Sequence, residues 1–132
     1  MAESTTLNTT LASKFDPKST RARNNAAGMA ALLEQIRRQE AEIGEGGGAK
    51  SIDSQHAKKR LTARERIALL LDPGTELFEL SLFAAFEMYE EWGGAPSAGV
   101  VTGLGRVNGR LCMIIANDAT VKAGAFFPMT AK

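Results

Sequence analysis

Cysteine, histidine, tryptophan and tyrosine occur once each in this chain of 132 residues, and each scarcity closes off a class of function. Cys112 has no partner for an intramolecular disulfide, which excludes a disulfide-stapled scaffold and points to a reducing compartment. His56 has no second His, and no Cys, Asp or Glu at ligand spacing, so it reads as a solvated helix residue rather than a metal ligand. No run of about 18 apolar residues is present, nor the shorter apolar stretch of a signal peptide, and neither a membrane span nor secretion is expected. Charge of one sign is also lacking: 16 Lys and Arg face 15 Asp and Glu. The balance is uneven, 12 basic to 8 acidic in residues 1–70 and 4 to 7 in residues 71–132. That excess is small and dispersed, and no aromatics interleave with it to stack bases, so nucleic acid is not an expected partner.

What is there is clearest from Gly99 to Asn117. Val100, Thr102, Leu104 and Arg106 alternate with Gly99, Val101, Gly103, Gly105 and Val107, the period of a strand. Asn108-Gly109 suits a type I′ turn, whose two central residues need positive φ. The return strand, Arg110 to Ala116, holds Leu111 to Ile115 in a nearly unbroken apolar run, which predicts cover on both faces and a place inside a larger sheet. Cys112, mid-strand in that run, is expected to be a structural thiol.

Upstream, Met1 to Pro17 has few large apolar residues, and no structure is assigned to it. With Glu3 present and no Arg before Arg21, it lacks the composition of a mitochondrial transit peptide. Ser19 or Thr20 can cap a helix to about Ile43, with Met29, Leu32, Leu33, Ile36 and Ile43 on one side and Gly44 as a left-handed C′ residue. Such a stripe is either a docking helix or a helix lying on its own domain, and the second reading is preferred. Gly44 to Gly48 reads as a flexible joint; without a preceding strand or a Gly-Lys-Ser/Thr ending it is no phosphate loop. Thr62-Ala-Arg-Glu65 is a capping box that opens a short helix burying Ile67, Leu70 and Leu71, which Asp72-Pro73-Gly74 stops. Lys58, Lys59, Arg60, Arg64 and Arg66 form a basic cluster, read as a solvated face or else an anion site.

Leu77 to Phe83 is a candidate strand, and Ala84 to Ser97 a loop in which Glu87, Glu90 and Glu91 read as solvated and Trp92 as a plug. After the hairpin, Asn117 to Gly124 is a polar loop ahead of a helix that Pro128 can begin. A strand, a polar loop and a helix start make the geometry of a ligand site, while an Asx turn with Lys122 in water accounts for the same residues. The chain stops at Thr130-Ala131-Lys132 with no helix-ending residue, so the sequence is expected to be the N-terminal piece of a longer protein.

Three stretches together carry a family resemblance: Leu61-Thr-Ala-Arg-Glu-Arg-Ile67 leading to Leu70-Leu-Asp-Pro-Gly74, then Gly103-Leu-Gly-Arg-Val107, then Ile115-Ala-Asn-Asp-Ala-Thr-Val-Lys122. From about Arg21 to Lys132 the chain resembles the N-terminal end of the carboxyltransferase (β) subunit of biotin-dependent acyl-CoA carboxylases. The resemblance implies an α/β (α+β) fold, the truncated front of a crotonase-like domain behind a helical arm. Residues 1–20 would then be a flexible tail, 21–71 the arm and 75–132 the start of the sheet. It further implies biotin carried by a biotin carboxylase/carrier (α) subunit, acyl-CoA as substrate, a hexameric core and no metal. Backbone amides would hold the thioester enolate, which removes the need for a side-chain triad. Those segments lie beyond Lys132, so no catalytic residue is assigned here, and Lys122 and Lys132 are the candidate phosphate contacts of coenzyme A. The polar loop before Pro128 looks more like the 3-methylcrotonyl-CoA or geranyl-CoA branch, hence leucine catabolism, than the propionyl-CoA branch. Cytoplasm is the implied compartment, or the mitochondrial matrix in a eukaryote. Competing readings are a nucleic-acid adaptor using Lys58 to Arg66 and an assembly segment using the Met29–Ile43 helix.

Overall fold

The computed structural model describes residues 13–131. In chain order it has three helices, α1 (Thr20–Gly44), α2 (Ala49–Ala57) and α3 (Ala63–Leu70), then three strands, β1 (Phe78–Leu80), β2 (Val100–Val107) and β3 (Arg110–Asn117). Single 3-10 turns occupy Glu90–Trp92, Pro96–Gly99, Lys122–Gly124 and Pro128–Ala131. Contacts divide the chain into two compact units, residues 1–35 and 36–132. The described part of the first is the front of α1, capped by Ser19, whose Oγ accepts the Ala22 N–H at 3.2 Å. The second holds the sheet and both shorter helices.

The expected hairpin forms with the expected turn. Val107 pairs with Arg110, leaving only Asn108 and Gly109 in the loop, at φ 50° and 75°. These are the two positive values that the right-handed twist of the flanking strands demands. β1 adds antiparallel to β2, giving the order β1-β2-β3. β1 is shorter than Leu77 to Phe83 because Ser81 takes φ 54° and ends the extended run.

The capping box forms too. Thr62 Oγ1 accepts the Glu65 N–H at 3.3 Å, and the Glu65 carboxylate accepts the Thr62 N–H at 2.7 Å. His56 joins it, its Nε2 lying 3.0 Å from both Glu65 oxygens. The hydrogen bond with His56 first, and that with the Thr62 amide second, hold the Glu65 carboxyl below the usual carboxylate range. Launched this way, α3 lays Ala63 and Ile67 on Val101 and Ile114, with Leu71, Leu77, Val107 and Ala116 around them. Burying Ile67, which is 5% exposed, contributes roughly 1.5–3 kcal/mol. Gly103 and Gly105 admit the close approach: a Cβ on Gly103 would stand 2.8 Å from Leu77 Cγ, and one on Gly105 would overlap the Leu71 side chain.

Several expectations are corrected. Leu70 is exposed; the helix ends there, and extended ψ at Leu71 turns that residue, not Leu70, onto the sheet. Among the described residues β3 is covered on one face only. Leu111, Met113 and Ile115 are exposed while Ile114 is buried, because α3 covers only the face shared by Val101 and Ile114. Cys112 is accordingly half-buried. Met29, Leu32, Leu33 and Ile36 are also exposed, whereas Ile43, the last member of the α1 stripe, is buried. Gly44 stays helical, and the positive-φ glycines come later, at Gly46 and Gly48. Trp92 is 66% exposed and plugs nothing. Tyr89 does so instead, its ring 4.9 Å from Phe127 beside a small core of Ala85, Ala95 and Ala98. Pro128 opens a 3-10 turn, Pro128–Ala131, at the end of the described residues.

Candidate functional site

Polar groups converge where β3 ends. Asp118 leaves the strand with its N–H donated to Gly99 O at 2.9 Å, and its carboxylate turns inward. Its Oδ1 accepts the Thr120 N–H at 2.9 Å and the Thr120 hydroxyl at 2.6 Å, an Asx-type turn closed twice. Both residues are buried. Val121, 2% exposed, then anchors the loop, and Lys122, Ala123 and Gly124 follow at φ 46°, 57° and 82°. Three left-handed residues in a row, two of them not glycine, need surroundings that hold them there.

The supposed glycine joint is one of those surroundings. Gly47 N–H donates to Thr120 Oγ1 at 3.0 Å. A Cβ on Gly46 would stand 2.6 Å from Asp118 Oδ2, and one on Gly47 would overlap the Thr120 carbonyl. These glycines are a close crossing of two backbones, not a hinge. Gly93 offers a third bare position, where a Cβ would stand 2.8 Å from Lys122 Nζ.

Between these segments lies a cleft of about 200 Å³ lined by Gly46, Gly47, Ser51, Gly93, Gly94 and Lys122 among others. Beside it is a larger hollow of about 610 Å³, bordered by Glu42, Glu45, Glu87 and Glu90. The smaller cleft is the better match for an anion. It is glycine-lined, Lys122 stands at its edge without a carboxylate partner among the described residues, and α2 begins beside it at Ala49, where the helix has positive end potential.

Of the residues singled out from the sequence, Lys122 is thus placed at a cleft, and Lys132 lies outside the described residues. Asn117 is exposed at the end of β3, paired with Val100. Lys58, Lys59, Arg60 and Arg66 are exposed, whereas Arg64 turns in, its Nη2 2.6 Å from Glu79 Oε1 and its Nη1 3.6 Å from Asp118 Oδ2. Glu87, Glu90 and Glu91 remain exposed. Ser51 and the glycines of the crossing were not among the expected site residues, and Arg64 was expected only as one member of the basic cluster. The only local signal for the glycines was their clustering, which fits a linker equally well.

The family described as the carboxyl transferase domain matches residues 54–132. A probable methylcrotonoyl-CoA carboxylase beta chain of Drosophila melanogaster is 44% identical over 122 residues, 92% of this chain and 21% of the relative. The propionyl-CoA carboxylase beta chain of Sus scrofa is 48% identical over 84 residues, 61% of this chain and 16% of the relative. Among solved structures, the beta subunit of P. aeruginosa geranyl-CoA carboxylase superposes with a TM-score of 0.78 at 27% identity, over 91% of this chain and 22% of that one. The transcarboxylase 12S subunit, described as a hexamer assembly, gives 0.66 at 34% identity, over 74% of this chain and 19% of that one. The chain therefore spans about a fifth of the length of the relatives it matches.

Proposed function

The chain belongs to the carboxyl transferase domain family, and from that premise we propose that it is the leading part of the carboxyltransferase component of a biotin-dependent acyl-CoA carboxylase. Its fold is the matching α/β portion of these crotonase-like subunits. Biotin, carried on a partner α subunit, supplies the activated carboxyl group, and the oxyanion amides that stabilise the acyl-CoA enolate come from further along the polypeptide. The residues present here fit the other reactant. The supporting observation is the Lys122 loop: a cation at the edge of a glycine-lined cleft, on a loop fixed by Asp118 and Thr120. Its role is to bind and orient a phosphate of coenzyme A, as a point charge that needs no bidentate geometry.

The favoured substrate is 3-methylcrotonyl-CoA. The relatives named for methylcrotonoyl-CoA match over 65–92% of this chain and the geranyl-CoA neighbour over 91%, the propionyl-CoA relative over 61%. Propionyl-CoA is the competing substrate. Assembly into a hexameric core belongs to the same reading, as does an aqueous reducing compartment such as the cytoplasm. No described helix is long and apolar enough to cross a membrane. An assembly role through α1 is a second reading, favoured by the exposed Met29, Leu32, Leu33 and Ile36.

The test is carboxylation by the full-length subunit assembled with its biotin-bearing partner. The expected order of kcat/KM puts 3-methylcrotonyl-CoA first, with modest cross-activity, since a pocket separates substrates by only about 1–3 kcal/mol per methylene. A higher value for propionyl-CoA than for both 3-methylcrotonyl-CoA and geranyl-CoA would overturn the substrate, and no transfer to any acyl-CoA would overturn the function. Residues 1–132 alone are expected to transfer nothing. Lys122→Ala is expected to raise KM for acyl-CoA by about 5- to 30-fold, the loss of one charge-assisted contact.

A further inference from the structure

We propose that Arg64 is the positioning residue for the loop that carries Lys122. Arg64 stands in the first turn of α3, two residues after the capping Thr62, and its guanidinium divides between two carboxylates. Nε and Nη2 reach Glu79 on β1, at 3.3 and 2.6 Å, and Nη1 faces Asp118 Oδ2 at 3.6 Å. The three side chains are largely withdrawn from water, Asp118 most of all at 7% exposure. Two carboxylates in that setting repel each other unless a cation with two faces lies between them, and a guanidinium has the planar fork for it.

The consequence runs outward from Asp118. With Oδ2 toward Arg64, Oδ1 is left for the Thr120 amide and hydroxyl. The hydroxyl, its proton committed to Asp118, has its lone pairs free, and there it accepts the Gly47 N–H. Gln55 adds a contact from α2, its Nε2 3.4 Å from the Ala119 carbonyl. The backbone from Asp118 to Val121 is thereby tied to α3, the Gly46-Gly47 crossing and Gly99, and the left-handed Lys122-Ala123 pair follows without a break. An ordinary structural ion pair would need one carboxylate only. Here the second one starts a chain of hydrogen bonds that ends at the turn holding Lys122 over Gly93.

That this turn then meets coenzyme A rests on the function proposed above, and the experiment keeps the two apart. In the full-length subunit assembled with its biotin-bearing partner, Arg64→Gln and Arg64→Lys are compared with wild type by amide hydrogen exchange and by steady-state kinetics. Both variants are expected to raise exchange at residues 119–124 by about tenfold or more, the mark of a local opening, while β2 and β3 keep their protection. Lysine is expected not to rescue, because a single ammonium cannot span both carboxylates. KM for acyl-CoA should rise with kcat within about twofold, and Arg64→Gln should add little to Lys122→Ala, as expected of residues acting through one contact.

Thr120→Val removes the link without leaving a charge unpaired, and should loosen the same residues if the Arg64 variants do not fold. Unchanged exchange at 119–124 in Thr120→Val or in folded Arg64→Gln, wild-type behaviour in Arg64→Lys, or uniform loss of protection across β2 and β3 would each overturn the proposal. Raised exchange at 119–124 with KM unmoved, in the Arg64 variants and in Lys122→Ala alike, would leave the positioning role standing and remove the coenzyme A contact.

Discussion

Asp72 and Gly109 are 37 residues apart in sequence and 2.7 Å apart in space, the carboxylate of one accepting the backbone N–H of the other. The second oxygen of Asp72 accepts the Asn108 N–H at 2.6 Å, and Asp72 N–H returns a bond to Arg106 O at 2.9 Å. Asp72, two residues past the end of α3, thus clasps the tip of the hairpin, fixing where the sheet starts relative to the helix that covers it. Asp72→Ala is expected to destabilise by about 1–2 kcal/mol, since both bonds are charge-assisted but reachable by water. Asp72→Asn, with one acceptor atom instead of two, should lose about half of that. Urea unfolding followed at the hairpin amides measures both.

Glycines 47 and 48 make a second test, because their backbone angles and their surroundings point in opposite directions. Gly48 sits at φ 78° and ψ 170°, a conformation essentially confined to glycine, with open space where a Cβ would go, whereas a Cβ on Gly47 would run into the Thr120 carbonyl. Gly48→Ala should cost only the conformational penalty, about 1–3 kcal/mol. Gly47→Ala must move one backbone off another, and a cost of about 3 kcal/mol or more is expected. Equal effects in thermal unfolding would mean that the crossing is looser than described.

On α3, Ile67→Ala should cost about 2–4 kcal/mol, since Ile67 touches Val101 and Ile114 beneath it. Leu70→Ala, one turn later and exposed, should stay within about 0.5 kcal/mol. The capping Thr62→Ala belongs between them, at about 1 kcal/mol. Denaturant midpoints of the three variants give the order directly.

Glu65 supplies a pH dependence. Its carboxyl is held below the ordinary range in the folded protein, so the folded state binds that proton less readily than the unfolded one does. Its contribution is therefore complete above the ordinary carboxylate range, about pH 4, and is lost as pH falls through that range toward the lowered value. Protection of the α3 amides should decline as pH falls below the ordinary carboxylate range in wild type, and less in Glu65→Gln. Because the group is open to solvent, added salt should reduce the difference. Equal declines in both proteins would remove Glu65 as the source.

These features differ in how far they could be read from sequence. Asn108-Gly109 and Thr62 to Glu65 act within four residues, and turn and cap chemistry made both legible. Asp72 against Gly109, and Gly47 against Thr120 across 73 residues, are meetings of distant backbone that no local pattern encodes. Residue choice also misled. Leu111 to Ile115 is apolar enough for a strand covered twice, yet only one face has a helix on it. Trp92 had the size for a plug, but Tyr89 is the residue aimed at Phe127. The strand-loop order drew attention to Lys122, whereas Arg64 was singled out only with its basic neighbours, since a basic run looks the same whether one member turns inward or none does.

The open face of the sheet governs how this polypeptide behaves in a tube. Phe78, Leu111, Met113 and Ile115 lie bare on one side, and β3, eight residues long, has no neighbour along its outer edge among the described residues. Apolar surface next to unpaired backbone groups is a template for strand addition. Concentrated on its own, the 132-residue chain should first find another copy of itself, so light scattering that grows with concentration is the expected hallmark of this piece. Substituting Ile115 by lysine, a charge on that bare side, should quiet it without touching the core under α3.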